Sequence, residues 1–191
     1  MGIMTANTMR LLAAACSEIA GVGAVALLFY YLSITDVTHV GNIWAVDRVV
    51  AYLLLFAGPL LIFLPASLAL RLGPLPLLGA ASWAVLGYVL IFVNAPARTE
   101  ASFFSYVAFL AVLFTALATA LAVPLGALSK RLLPPASPTV GMIRSMRQGA
   151  LLALFVVSVL AMTPLGVLNW LNALLVFVIV ALTEFFFLAR D

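Results

Sequence analysis

The chain has 191 residues, of which 66% are hydrophobic and 8% are charged, and its formal net charge is +3. A soluble domain carries about 25% charged residues, so this composition excludes a water-soluble globule and indicates a protein whose main solvent is lipid. The nine basic residues form no stripe typical of a nucleic-acid interface, which argues against a nucleic-acid partner.

Six apolar segments are long enough, or nearly so, to cross a bilayer, for which a helix needs about 20 residues. The predicted helices cover residues 9–33, 49–70, 75–93, 102–128, 146–162 and 165–188. No stretch between them is long or polar enough to form a soluble domain. The sequence therefore predicts an all-α, polytopic membrane bundle of six transmembrane helices, forming a single integral membrane domain over residues 1–191.

The first helix contains Cys16 and Glu18. Cys16 is the lone cysteine, so no intrachain disulfide can form. Only residues 11–15 precede it as apolar sequence, which is too short for a lipoprotein signal, so we expect a buried small residue. A carboxylate within an apolar helix needs a partner, which makes Glu18 a candidate site residue.

Polar residues of the first loop, Asp36, His39 and Asp47, offer one histidine and two carboxylates. A zinc site needs three or four ligands rich in His or Cys, so we predict no metal site here. With one histidine in the chain, we predict no haem or other cofactor. Trp44 is expected to anchor the loop at the membrane interface, and Asp47 to begin the second helix.

The second helix contains Gly58, Pro59 and Pro65. Proline removes a backbone donor and bends a helix, and in lipid the freed carbonyl needs another donor nearby. Two hypotheses stay open: a broken helix that lines a substrate cavity, or a kinked helix that serves packing. The second is the commoner case.

Small residues repeat every four positions on two helices, a spacing that permits close helix packing. They are Ala13, Ser17 and Gly21 on the first helix, and Ala118, Ala122 and Gly126 on the fourth.

The fifth helix is predicted to be short, because the polar stretch GMIRSMRQG precedes its apolar run. Two hypotheses stay open. Either residues 145–148 dip into the membrane while the arginines snorkel to the headgroups, or the fifth and sixth helices form a re-entrant hairpin.

Glu184 lies inside the sixth apolar helix. We predict that it pairs with Arg147, or with Arg144 one turn away, and that Glu18 joins this cluster or contacts Gln148. The cluster acts either as an interhelical clamp near the membrane edge, which we favour, or as part of an ion or proton path.

Basic residues are distributed unevenly between the loops. With a cytoplasmic N-terminus and six crossings, seven of the nine Lys and Arg residues face the cytoplasm, and Arg48 and Arg98 lie outside. Both termini are therefore predicted to be cytoplasmic. The partners expected besides the bilayer are anionic lipid headgroups near Lys130, Arg131, Arg144 and Arg147.

Long and short connections alternate twice along the chain, with an offset of about 92 residues, as in inverted three-helix repeats of transporters. Gly58 then aligns approximately with Gly149. Identity across the offset is poor, so coincidence remains the alternative explanation.

The string RxxRQGxLL, followed by a Pro-marked turn, LNxxN and a late EFFF, resembles an uncharacterised family of bacterial integral membrane proteins. The resemblance covers about the last fifty residues. It implies a bacterial inner-membrane location and transfers no activity and no functional residues.

Motifs for nucleotide hydrolysis, metalloprotease and redox chemistry are absent, so no catalytic residues are predicted. We expect a non-enzymatic scaffold or subunit of a larger membrane assembly, with another membrane protein as partner. The alternative is a small-molecule or ion transporter or channel that uses Glu18 and Glu184.

Overall fold

The computed structural model describes residues 6–35, 37, 42–70, 74–92, 103–132 and 138–190. Every regular element in these residues is an α-helix. The helices are α1 (Ala6–Ile34), α2 (Val46–Leu70), α3 (Leu75–Phe92), α4 (Phe103–Leu132), α5 (Pro138–Met162) and α6 (Trp170–Arg190). The prediction of an all-α chain with six helices agrees with these described ranges.

Five of the described helices are long and apolar enough to cross a membrane. The candidate spans are Leu12–Ile34, Val46–Pro65, Ser105–Leu128, Val140–Met162 and Trp170–Ala189. α3 contains a shorter apolar stretch, Leu77–Phe92. This pattern is that of a multi-pass membrane protein.

α5 begins at Pro138, eight residues before the start expected at Met146. Proline is favoured at the first helical position, where its missing N–H has no partner to lose. The fifth helix is therefore not short. Its candidate span has 23 residues, so the polar stretch lies inside a full-length helix.

The chain divides into two compact units, Met1–Ala97 and Arg98–Asp191. In the first, α1 packs on α2 and α2 packs on α3; in the second, α4 packs on α5 and α5 packs on α6. Each unit is thus built from helices that are neighbours in the chain, with the middle helix contacting both others.

In the first unit, two glycines allow α1 and α2 to approach closely. A Cβ atom added to Gly21 would lie 3.0 Å from the carbonyl oxygen of Gly58 and 2.7 Å from the Ile62 side chain. A Cβ on Gly58 would lie 2.8 Å from Val25. The prediction that small residues serve close packing on α1 is confirmed at Gly21.

α2 continues as one helix through Pro59 and Pro65. Pro65 has no N–H to offer the carbonyl oxygen of Leu61, four residues earlier. That oxygen instead accepts a 2.9 Å hydrogen bond from the Ser17 hydroxyl of α1. The donor expected near a proline-freed carbonyl is therefore present, and it joins two helices.

In the second unit, α5 crosses α4 at Gly149. A Cβ there would lie 2.5 Å from the carbonyl oxygen of Ala118 and 2.8 Å from the backbone nitrogen of Ala122. The two alanines belong to the predicted small-residue row, so this crossing is one of backbone against backbone. Near the start of α4, the Tyr106 hydroxyl donates a 3.3 Å hydrogen bond to the Leu160 carbonyl oxygen of α5.

α5 ends in a Schellman motif, in which the N–H groups of two residues after the helix donate hydrogen bonds to carbonyl oxygens at its end. The N–H of Val167 donates to the Met162 carbonyl oxygen and the N–H of Gly166 to that of Thr163, at 3.3 and 3.2 Å. Gly166 has a φ of 67°, a left-handed conformation that favours glycine. After this turn the chain enters α6, which packs antiparallel to α5.

Candidate interhelical polar cluster

Antiparallel packing sets the register between α5 and α6. The rings of Phe155 and Phe177 meet with their centroids 5.8 Å apart, and Gln148 meets Glu184 farther along the same pair. The second contact lies seven residues from the first on each helix, so both fit a single antiparallel register. It brings the polar stretch of α5 to the level of the lone carboxylate of α6, which is how residues 36 positions apart become neighbours.

Glu184 has a separate partner for each carboxylate oxygen. Its Oε1 accepts a 2.9 Å hydrogen bond from the Gln148 Nε2. Its Oε2 lies 3.4 Å from Arg147 Nε, which exceeds the 2.7–2.9 Å of a charge-assisted hydrogen bond. Oε2 is therefore held by charge attraction, and Oε1 by a directed hydrogen bond.

Arg147 contacts α6 a second time. Its guanidinium carbon lies 4.8 Å from the centroid of the Phe187 ring, a distance at which the ring face attracts a cation. The Arg147 and Glu184 side chains are 17% and 20% exposed. In surroundings this dry, the ion pair is stronger than one at a water-exposed surface.

One turn before Gln148, α5 carries Arg144 and Ser145. Ser145 is 2% exposed, and its hydroxyl donates a 2.8 Å hydrogen bond to the Gly141 carbonyl oxygen of its own helix. The hydroxyl is thereby satisfied without a partner from another helix. Arg144 is half-buried and lies four residues before Gln148, on the side of α5 that faces α6.

The depth of the cluster follows from the helix lengths. Gln148 is about 21 Å along α5 from Met162, and Glu184 is about 21 Å along α6 from Trp170, at 1.5 Å per residue. A hydrocarbon core is about 30 Å thick. If both helices cross it, the cluster lies in the third of the core opposite the α5–α6 turn.

Glu18 belongs to the first unit and is exposed on α1. It has no hydrogen-bond or ion-pair partner among the residues that the structure describes. Its expected contact with Gln148 stays a prediction, while Gln148 bonds Glu184 within the second unit. Cys16 on the same helix is also exposed, so the expectation of a buried cysteine is wrong, because α1 buries only its α2-facing side.

The start of α2 carries a network that the sequence did not reveal. The Tyr31 hydroxyl donates to Asp47 Oδ1 at 2.9 Å, and Arg48 Nε donates to the Val37 carbonyl oxygen at 2.9 Å. The Arg48 guanidinium lies 5.4 Å from the Phe92 ring centroid. These contacts tie α1, α2, α3 and the first loop together at one end of the unit.

Asp36 and His39, considered as metal ligands, lie outside the described residues, and Asp47 is the first-turn acid of α2. Within the described ranges, no three His, Cys, Asp or Glu side chains are grouped to hold a metal ion. Trp44, the predicted interfacial anchor, is exposed.

Phe187 is the cluster residue that sequence reasoning missed. EFFF offers three phenylalanines in a row, and only the register with α5 selects Phe187 as the ring against Arg147. The spacing Glu184 to Phe187, three residues on one helix face, is the signal that could have found it.

Comparison of the chain with protein-family models, with curated proteins and with solved structures gives no match. The C-terminal resemblance is therefore not accompanied by a family match.

Proposed function

We propose that the protein is a non-enzymatic, multi-pass membrane protein that acts as a scaffold or subunit of a larger membrane assembly. The observation that carries this proposal is the state of Glu184. Both its oxygens are engaged within the chain, by Arg147 and Gln148. A carboxylate that serves transport must exchange partners, whereas a clamp keeps them.

α6 supports an assembly role for a second reason. Among the described residues of its unit, α6 packs on α5 alone, and only 6% of its candidate span is buried. Its exposed side chains include Trp170, Phe177, Phe185 and Phe186. Lipid or another membrane helix covers this surface, and the clamp fixes the orientation in which it is presented.

The proposed location is the inner membrane of a bacterium, with both termini in the cytoplasm. Six crossings place seven of the nine basic residues on one side. α3 is the shortest of the described helices. It has 18 residues, or about 27 Å, which is close to the thickness of the hydrocarbon core. The orientation therefore counts α3 as a full crossing.

The experiment that tests the assembly role compares wild type with Glu184→Gln. Membranes are extracted in a mild detergent, and the mass of the particle that contains the chain is measured. We expect wild type to form a defined complex that includes a second membrane protein, and Glu184→Gln to form less of it, because the weakened clamp no longer fixes α6. A chain recovered alone, with an ion flux in liposomes that Glu184→Gln abolishes, contradicts the proposal.

A transporter or channel remains the second candidate, because Glu18 is an exposed carboxylate inside the candidate span of α1. An intramembrane ionisable group is a functional candidate by default. Loss of flux in Glu18→Gln, with an unchanged particle mass, supports this alternative.

We also propose that the two units are an internal repeat, as the alternation of long and short connections suggested. In each three-helix unit the middle helix packs on both others, and Gly58 or Gly149 lies where it crosses the first. These are the two glycines that the sequence offset aligned. With three crossings per unit, a repeat would enter the membrane from opposite sides, as in inverted-repeat proteins.

A further inference from the structure

Trp83 on α3 carries a hydrogen-bond donor that has no partner among the described residues. The donor is its indole nitrogen Nε1, which is buried, whereas the side chain as a whole is half-buried. An indole nitrogen can only donate, and a buried donor without an acceptor is costly. Buried Trp N–H groups therefore usually find a partner, and an acceptor is expected close to this one.

Two glycines, one turn before and one turn after this tryptophan, fix what it faces on α2. A Cβ added to Gly79 would lie 3.0 Å from the Phe63 ring. A Cβ added to Gly87 would meet the Leu55 side chain. The tryptophan lies midway between the two glycines on the same face of α3. In this antiparallel pair, the residue midway between Phe63 and Leu55 is Pro59, so the tryptophan is level with Pro59.

Pro59 leaves an acceptor on this side of α2. It has no N–H to offer the carbonyl oxygen of Leu55, four residues earlier. Within the described residues, no side chain donates to that oxygen. The carbonyl oxygen of Leu61, which Pro65 frees in the same way, accepts the Ser17 hydroxyl. The two prolines of α2 therefore differ, because a neighbouring helix supplies a side-chain donor for only one of them.

We propose that one water molecule binds between the Trp83 indole N–H and the Leu55 carbonyl oxygen. Leu55 faces Gly87, which lies about 6 Å along α3 from Trp83. The carbonyl groups of a helix point towards its C-terminal end, so this oxygen points towards the level of the indole. A water with a hydrogen bond of about 2.8 Å on either side spans a gap of that size. Two polar partners are enough for a buried water, and ordered water is one of the groups that satisfy proline-freed carbonyls in membrane helices.

The depth of the site distinguishes a bound water from bulk water. Trp83 lies about 12 Å along α3 from Leu75 and about 14 Å from Phe92, close to the middle of the helix. If α3 crosses the membrane as proposed above, bulk water does not reach this level. The inference rests on that crossing, but it is independent of the scaffold role.

The test uses the full-length protein in lipid bilayers, with isotope-labelled tryptophan, and measures by solid-state NMR the magnetisation that each indole N–H receives from water. We expect a water signal at Trp83, identified by its loss in Trp83→Phe. Pro59→Ala returns an N–H to the Leu55 carbonyl and should lower this signal about fivefold, the effect of one lost hydrogen bond to the water. The matched control is Pro65→Ala, which restores an N–H one and a half turns away and should leave the signal unchanged.

A Trp83 N–H that receives nothing from water, while the exposed Trp44 does, overturns the site. An unchanged signal in Pro59→Ala, or equal losses in Pro59→Ala and Pro65→Ala, overturns the Leu55 carbonyl as the second partner. If Pro59→Ala does not fold, the wild-type signal at Trp83 decides, since bulk water does not reach that level. A water signal at Trp83 in a protein that has no protein partner retains this inference and loses the scaffold role.

Discussion

Glu184 illustrates how a single carboxylate is accommodated within an apolar helix. Gln148 supplies a hydrogen bond, Arg147 supplies charge, and the Phe187 ring contacts the guanidinium of that arginine. Each partner compensates part of the desolvation penalty that a lone charge would bear in lipid. Removal of one partner therefore exposes the others to that penalty.

Replacing Arg147 by Gln should lower the free energy of unfolding by about 2 kcal/mol. This value lies between the small effect of an exposed pair and the 3–5 kcal/mol of a fully buried one. The exchanged pair Arg147→Glu/Glu184→Arg should recover part of the loss. Unfolding in detergent measures both, with Thr183→Val as the control because the Thr183 hydroxyl bonds only its own helix. If the single change is harmless, the clamp is not needed for stability.

Ser17 allows a second test, because its role depends on a proline. Ser17→Ala should cost about 1 kcal/mol by leaving the Leu61 carbonyl without a donor. In a Pro65→Ala background the helix regains an N–H for that carbonyl, so the same change should have a smaller effect. Unfolding measurements on the four variants give the coupling. Equal effects in both backgrounds contradict the explanation, and Ser33→Ala serves as the control.

At the scale of elements, two kinds of helix contact occur. At Gly149, α4 and α5 meet through backbone atoms, whereas α5 and α6 meet through side chains. The α4–α5 crossing depends on the absence of a side chain at Gly149. Such packing gains from van der Waals contact at short range, which is the main source of helix association in lipid. It also leaves no room for adjustment.

Gly149→Ala should therefore separate α4 from α5 and lower the free energy of unfolding by about 1–3 kcal/mol, as overpacking does. The matched control is Gly23→Ala, since a Cβ added to Gly23 meets nothing within 4 Å. Thermal unfolding in detergent compares the two. Equal stabilities contradict the close crossing.

The sequence could predict several elements of this structure for definite physical reasons. Apolar length sets the helices, four-residue spacing marks the small residues, and the rarity of charge leaves Glu184 few partners besides Arg147. The start of α5 escaped prediction because polar residues 141–148 resemble a loop until Pro138 is considered as a first helical residue. The exposure of Cys16 was not predicted, because an apolar sequence looks the same whether its side chains face lipid or pack against another helix.

At the scale of the whole molecule, the number of crossings decides the orientation of every loop. If α3 did not cross, the termini would lie on opposite faces, and the more basic face would hold six of the nine Lys and Arg residues rather than seven. Charge distribution thus favours six crossings by a single residue.

We expect reporters fused at the N-terminus and after Asp191 to be active on the same, cytoplasmic side. A reporter inserted after residue 96, between α3 and α4, should be active on the opposite side. Protease protection in membrane vesicles provides an independent check. Termini found on opposite faces contradict an even number of crossings.

Among the described residues, the helix pairs within each unit join neighbours in the chain, and this bears on biogenesis. Low contact order favours rapid folding. Within a unit, the second and third helices can each dock on their predecessor as soon as they leave the translocation machinery, without waiting for a distant segment. The growing polypeptide thus need not expose Glu184 for long, since Arg147 and Gln148 are already in the bilayer when that residue arrives.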